Sequence, residues 1–253
     1  MPEAGPIPTG TQPQGARNEQ EASQQVREMF TRIAPRYDLL NHLLSAQMDR
    51  YWRARTAREV KSILERPDAT VLDLCCGTGD LAFSLARHAK ARIVGADFSH
   101  TMLVRARAKS ASANGSEPLP FVEADALRLP VRDKSFDLVT TAFGFRNLAN
   151  YESGLREILR VLKAGGTLAI LEFAEPRPGL LGDAYRFYTR QLLPKIGGLI
   201  SGDREAYAYL PKSVKRFFLP DELSALMTSV GYRPVRYRLM TLGSVALHLA
   251  VRP

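Results

Sequence analysis

A chain of 253 residues with 45% apolar and 24% charged side chains can build one sizeable core, in one large domain or two small ones. It contains no apolar stretch long enough to span a bilayer, and the composition of residues 1–15 leads us to expect no secretory leader. The formal net charge of +9 fits nucleic acid or lipid headgroups, and equally a merely basic globular protein; no basic run singles one out.

Residues 1–20 are predicted as a disordered tail, since Pro2, Pro6, Pro8, Pro13 and three glycines crowd its first fifteen positions. The remainder, 21–253, reads as a single domain that opens with a helical preface over 21–67. Val26, Met29, Phe30 and Ile33 fall at i, i+3, i+4 and i+7, one stripe of an amphipathic helix that Pro35 ends. Asp38 is placed to cap a second helix through Leu39, Leu40, Leu43 and Leu44. Ser45 and Asp49 precede a third, with Trp52, Thr56, Val60 and Ile63 along one side and Pro67 at its close.

An alternating pattern follows. Strands are predicted near 70–74, 92–96, 119–123, 136–141 and 167–173, with helices over 80–88, 99–113 and 151–162. Strands alternating with helices give a parallel sheet covered on both faces. Gly165 and Gly166 are read as the turn after Leu162.

Residues 71–80, VLDLCCGTGD, are the most informative stretch. An apolar run carrying Asp73 enters a turn holding Gly77 and Gly79, and a helix pattern begins at once. Glycine admits positive φ and lets a ligand press against backbone. Asp97, at the end of the next apolar run, is placed to hold the two hydroxyls of a ribose. A nucleoside-bearing cofactor is therefore expected. A nicotinamide dinucleotide site wants a third small residue and a pyrophosphate at the helix N-terminus. Ala82 meets the first demand only permissively, and Asp73 and Asp80 make an acidic mouth that repels phosphate. S-adenosylmethionine carries an ammonium and a sulfonium but no phosphate, so it is the expected cofactor. The alternative is that Gly77 and Gly79 merely form a tight turn.

Cys75 and Cys76 are adjacent, which suits neither a structural disulfide nor metal ligation. They read as small packing residues in a reducing, cytoplasmic setting, with no metal expected.

Residues 174–218 form an insertion that holds Tyr185, Phe187, Tyr188, Tyr207, Tyr209, Phe217 and Phe218. That enrichment is expected to cover a large apolar substrate; a small satellite core is the alternative, and the two are compatible. A helix over 220–230 stops at Gly231, and strands over 233–240 and 244–251 are joined by Thr241, Leu242 and Gly243. Strands joined so tightly are antiparallel. A parallel sheet finished by an antiparallel hairpin strand separates methyltransferase folds from ordinary dinucleotide folds. The expected class is thus an α/β, Rossmann-like sheet of the class I S-adenosylmethionine-dependent methyltransferase type.

Four runs carry a sharper resemblance: APRYDLLNHLLS at 34–45 with Arg50, Trp52 and Arg53; AFGFRNL at 142–148; RVLKAGG at 160–166 with Leu171, Glu172 and Phe173; and LPKIG at 193–197 with YAYLPKS at 207–213. From about Val26 to the C-terminus the chain resembles the UbiE/MenG quinone C-methyltransferases. It departs from that pattern at Asp49, where the family usually has His, at Ala164, usually Pro, and at Ala142, often Ser.

The resemblance implies methylation of a ring carbon of a polyprenylated quinol: demethylmenaquinol first, a 2-methoxy-6-polyprenyl-1,4-benzoquinol as the alternative. Thr78, Asp97, Asp125, Ala126 and Ala142 carry over as cofactor residues, with Asp73, Gly77 and Gly79 at the methionine end. Asp97 is expected to accept from the ribose, and Asp125 and Ala126 to meet the adenine. Arg146 and Asn147 are expected to stabilise a developing phenolate, by charge and by hydrogen bond. Tyr37, Asp38 or a water would take the proton. The implied substrate dissolves in membranes, so reversible docking at the inner membrane surface is expected through Arg186, Arg190, Lys195, Lys212, Lys215 and Arg216. A homodimer stays open. A nucleic-acid methyltransferase is the rival reading, yet no basic stripe or appended RNA-binding module is visible, so no nucleic-acid partner is expected.

Overall fold

The computed structural model describes residues 9–112, 117–176, 179 and 204–253. The preface holds α1 (Glu19–Ile33), α2 (Tyr37–Leu44), α3 (Met48–Glu59) and α4 (Lys61–Leu64). Asn18 caps α1 by accepting from the Glu21 amide at 2.9 Å. Asp38 does not cap α2, which begins one residue earlier at Tyr37; its carboxylate is engaged elsewhere. The third predicted helix breaks at Val60 into α3 and α4. Trp52 is buried, and its Nε1 donates to Thr241 Oγ1 at 2.8 Å, which ties the preface to the far end of the chain.

Seven strands make one sheet: β1 (Thr70–Leu74), β2 (Arg92–Asp97), β3 (Phe121–Glu123), β4 (Phe136–Ala142), β5 (Leu162–Phe173), β6 (Val235–Met240) and β7 (Val245–Val251). Their order is β3-β2-β1-β4-β5-β7-β6. β1 to β5 are parallel, and β7 inserts antiparallel between β5 and β6. The helices between them are α5 (Asp80–Ala86), α6 (His100–Ser112) and α7 (Tyr151–Val161), followed by α8 (Arg204–Arg216) and α9 (Pro220–Val230). The class I methyltransferase architecture follows directly from this order. The sequence of strands reverses between β1 and β4, and ligands of such sheets bind at the strand carboxyl ends beside that reversal.

Apolar clusters cover both faces. Leu72, Leu74 and Val139 point to one, with Phe145, Leu155 and Ile158. Val71 and Leu138 point to the other, with Trp52, Leu85 and Leu247. The split obeys the two-residue period of a strand.

Three sequence expectations change. β5 starts at Leu162, so the two glycines lie inside an irregular strand where the register with β4 slips, not in a free turn. Residues 9–12, assigned above to a disordered tail, lie along the body. The amide of Thr11 donates to Leu148 O at 2.8 Å, and a Cβ on Gly10 would fall 1.8 Å from Ala149 O. Phe217 and Phe218 pack edge-on against Tyr151, with ring centroids 5.6 and 5.3 Å away, and belong to the main core instead of a satellite one. Tyr185, Phe187 and Tyr188 lie outside the described residues, as does the start of the tail.

Candidate active site at the strand carboxyl ends

The turn after β1 runs through three residues of positive φ: Cys75 (54°), Gly77 (55°) and Gly79 (87°). Glycine is required at 79, because a Cβ there would meet Phe83 at 2.9 Å and Phe121 at 3.0 Å. Asp97, the last residue of β2, locks onto this turn. Its Oδ2 accepts from the Gly77 amide and its Oδ1 from the Ser99 amide, each at 2.8 Å. Burial pushes its pKa up to about 6 against the pull of those N–H groups. Both cysteines are free, and burial raises their thiol pKa, so neither is an activated nucleophile.

Beside the turn lies a cleft that is partly open to solvent. Gly77, Asp97, Asp125, Ala126, Ala142, Asn147 and Tyr37 all line it, with Phe30, Phe98 and Met102 among the apolar walls. Two carboxylates and no lysine or arginine stand on its wall among the described residues. That donor set disfavours phosphate. It fits a nucleoside with a cationic tail: Asp97 for hydroxyls, Asp125 and the backbone of Ala126 for a base, and Phe98 and Met102 as flat apolar surface. Asp125 Oδ1 also accepts from the Leu127 amide at 2.9 Å, which orients it.

The acidic character therefore comes from Asp97 and Asp125, not from Asp73 and Asp80. Asp80 is neutralised: Lys109 Nζ lies 2.8 Å from it, Arg53 3.5 Å and His42 3.9 Å. His42 also pairs with Asp49 at 2.7 Å, and Ser45 and Arg53 donate to Asp49 as well. Burial raises the Asp49 pKa, but these partners override it and hold the group below the usual carboxylate value. His42, Asp49 and Asp80 could face one cation by distance, but Arg53 and Lys109 already supply the positive charge there. Asp49, the departure from the family's His, is the hub of this network.

Asp73 lies beneath the turn, fully buried. Its Oδ1 accepts from Thr140 Oγ1 at 2.9 Å, while its Oδ2 has no hydrogen-bond partner among the described residues. Burial raises its pKa to about 7. Thr78, Gly79 and Asp38 stand outside the cavity wall. Thr78 donates to Asp38 Oδ1 at 2.5 Å, and Asp38 Oδ2 pairs with Lys109 at 2.7 Å. Tyr37, next to Asp38, faces the cavity, and burial raises its phenol pKa, so it stays protonated.

Arg146 and Asn147 sit in a single helical turn, Phe145–Asn147, just past β4. Their fates differ. Arg146 is buried in an ion pair with Glu172 at 2.9 Å and donates to Phe143 O and, at 3.3 Å, to Ser213 Oγ. Its charge is thus offset, and it stands behind the cavity wall instead of on it. Asn147 lines the cavity. Glu172 was legible as an acid inside the apolar β5 run, although its partner was not. Lys109 and Tyr209 gave no individual signal.

The sequence profile of the ubiE/COQ5 methyltransferase family matches residues 18–252. The demethylmenaquinone methyltransferase of Thermus thermophilus is 52% identical over 226 residues, covering 89% of this chain and 100% of that protein. The ubiquinone/menaquinone biosynthesis C-methyltransferase UbiE of Geobacter sulfurreducens is 44% identical, covering 90% of this chain and 88% of its own. Among solved structures, the [4+2]-cyclase SpnF superposes with a TM-score of 0.66 at 20% identity, covering 91% of this chain and 97% of its own. An S-adenosylmethionine-dependent methyltransferase from Aquifex aeolicus gives 0.56 at 19%, covering 78% and 89%. At such identities these two speak for the fold alone. The profile match spans nearly the whole chain, and it joins relatives close to half identical: this chain belongs to the ubiE/COQ5 methyltransferase family.

Proposed function

We propose that this chain methylates a ring carbon of a polyprenylated quinol, with demethylmenaquinol as the acceptor. S-adenosylmethionine is the methyl donor; bound, it supplies a methyl group made electrophilic by its sulfonium. The observation that carries the acceptor reading is the 52% identity with a relative named demethylmenaquinone methyltransferase, over that protein's full length. A benzoquinol acceptor is the second reading, because relatives at 40 and 44% identity are named for both ubiquinone and menaquinone biosynthesis.

Asp97 would hold the ribose, Asp125 and Ala126 the adenine, and Gly77 and Ala142 would let the cofactor approach backbone. Asp73, below the turn, and Thr78 and Gly79, within it, fix the turn's shape toward the methionine end. On the acceptor side the residues must favour an ionised ring hydroxyl, since the electron density it releases makes the ortho carbon nucleophilic. Asn147 is the wall residue placed to do so by hydrogen bond. Arg146, paired with Glu172, braces the loop that carries Asn147, and its net electrostatic effect on the site is reduced by that partner. Tyr37 lines the same cavity as a neutral phenol and orients the acceptor. Asp38, consumed by Thr78 and Lys109, secures α2 and leaves the hydroxyl proton to solvent.

The prenyl tail of such an acceptor lies in a bilayer, and no described helix is long and apolar enough to cross one. Docking at the inner membrane surface is therefore part of the proposal. Exposed Lys212 and Lys215 on α8, and Leu39 and Leu43 on α2 (63% and 51% exposed), offer charge and apolar contact. Arg186, Arg190 and Lys195 lie outside the described residues. Profiling the quinones of cells that lack this protein tests the acceptor: accumulated demethylmenaquinone supports the first reading, and an unmethylated methoxy-benzoquinone supports the second. An unaltered quinone pool overturns both.

A further inference from the structure

Tyr209 and Ser213 are four residues apart on α8, hence on one face of it. They reach two consecutive residues of the loop after β4. Tyr209 donates its hydroxyl to Asn147 Oδ1 at 2.9 Å, and Ser213 Oγ accepts from Arg146 Nε at 3.3 Å. Asn147 Nδ2 donates to Phe143 O at 3.4 Å. Thr11 Oγ1 lies 2.7 Å from the Tyr209 hydroxyl. A phenol has one proton, and here it goes to Asn147, so Thr11 is the donor in that pair.

The Phe143 carbonyl decides which way the Asn147 amide faces, since the Tyr209 hydroxyl could either donate or accept. Turned over, its Oδ1 would meet the carbonyl oxygen of Phe143, acceptor against acceptor. As held, Oδ1 is consumed by Tyr209, and Nδ2 keeps one N–H with no other protein acceptor among the described residues. Asn147 is one of the residues that line the cavity. An amide N–H recognises an oxygen carrying negative charge, whereas an amide C=O recognises a hydroxyl. A ring hydroxyl that loses its proton changes from donor to acceptor, so an N–H binds the ionised acceptor better than the neutral one. Burial raises the Tyr209 pKa and keeps its phenol a donor.

We propose that Tyr209 is a positioning residue that fixes the Asn147 amide to offer N–H, not C=O, to the ring oxygen of the acceptor. The proposal rests on the reading of Asn147 as an acceptor contact given above. It also gives Tyr209, one of the insertion's aromatics, a specific role. Through Thr11, the strap at residues 9–12 supports the same amide from outside.

Steady-state kinetics with demethylmenaquinol at saturating S-adenosylmethionine test this, together with calorimetry of S-adenosylhomocysteine. Tyr209→Phe keeps the ring and removes the donor. It is expected to lower kcat about tenfold, with KM, product affinity and melting temperature little changed. In an Asn147→Ala background the same substitution should cost nothing more, as expected for two residues acting as one unit. Thr11→Val should reduce kcat by a smaller factor. If Asn147→Ala is impaired and the two losses multiply, Tyr209 does not act through Asn147 and the proposal fails alone. If Asn147→Ala turns over at the wild-type rate, the reading of Asn147 fails first and takes the proposal with it.

Discussion

Thr78 donates its hydroxyl to Asp38 Oδ1 at 2.5 Å, and this bond joins the glycine turn to the first turn of α2. Lys109 closes the same knot from α6, 2.7 Å from Asp38 and 2.8 Å from Asp80. Tyr37, adjacent to Asp38, lines the cavity beside the glycine turn, so loosening the knot frees one wall of the proposed cofactor site. Asp38→Ala and Lys109→Met are each expected to weaken S-adenosylhomocysteine binding about tenfold. The pairs are partly solvated, so the melting temperature should move little, in keeping with the roughly 0–1 kcal/mol of such contacts. Calorimetry decides it: unchanged affinity in both variants would show that α2 is not part of the cofactor site.

The Arg146–Glu172 pair makes a different prediction, because both groups are buried. Arg146→Ala would strand a carboxylate inside the protein, at a cost of about 3–5 kcal/mol. The double substitution Arg146→Met with Glu172→Leu removes both charges and should regain much of that loss. Activity should stay low in both, since the Phe143–Asn147 loop loses its brace. Urea denaturation separates the two effects. A single variant as stable as wild type would mean that Glu172 is not confined as described.

Asp73 and Asp97 give the pH dependence. Burial lifts them to about 7 and about 6, above the ordinary carboxylate value near 4. The folded state therefore holds protons that the unfolded chain has released. Their contribution to stability is full below about pH 4 and is lost as pH rises through 6 to 7, with a slope of up to about 1.4 kcal/mol per pH unit for each group. Asp73→Asn should flatten the upper part of that fall. If Asp97 holds the ribose as proposed, cofactor affinity runs the other way, because the carboxylate already accepts two backbone N–H bonds and must be ionised to accept from hydroxyls as well. Binding of S-adenosylhomocysteine is expected to weaken as pH drops below 6. Chemical denaturation and titration calorimetry from pH 5 to 8 check both signs.

Gly144 offers a steric test. A Cβ at this position would stand 2.4 Å from Cys75 Cβ, in the turn that carries Gly77. Gly144→Ala should cost about 1–3 kcal/mol and push the glycine turn away from Asp97, with a clear drop in cofactor affinity. Retained affinity would show that the turn relaxes freely.

The fold was largely legible because its signals are local. The apolar run into Gly77 and Gly79 marks β1 and its turn, and the tight link at Thr241–Gly243 forces β6 and β7 antiparallel. The charge pairing was not legible. Lys109 and Asp80 meet across 29 positions on separate helices, and nothing in composition distinguishes Lys109 from other lysines. The Asp73 side chain shares a strand face with Val71, which directs it under α5 and away from the mouth of the turn; the two-residue period contained that information. Aromatic enrichment likewise cannot separate Phe217 and Phe218, which fill the core, from Tyr209, which reaches the site. Of the acids that point to S-adenosylmethionine in the sequence, Asp97 lines the cavity, whereas Asp73 is buried and Asp80 is paired with Lys109.

Methyl transfer to a reduced quinone can be read directly. The purified protein, supplied with S-adenosylmethionine bearing a deuterated methyl group and with demethylmenaquinol, should return menaquinol labelled at the ring carbon, as mass spectrometry of the fragmented quinone would report. Label on a ring oxygen, or none on the quinol while RNA or another acceptor takes it up, would contradict the account.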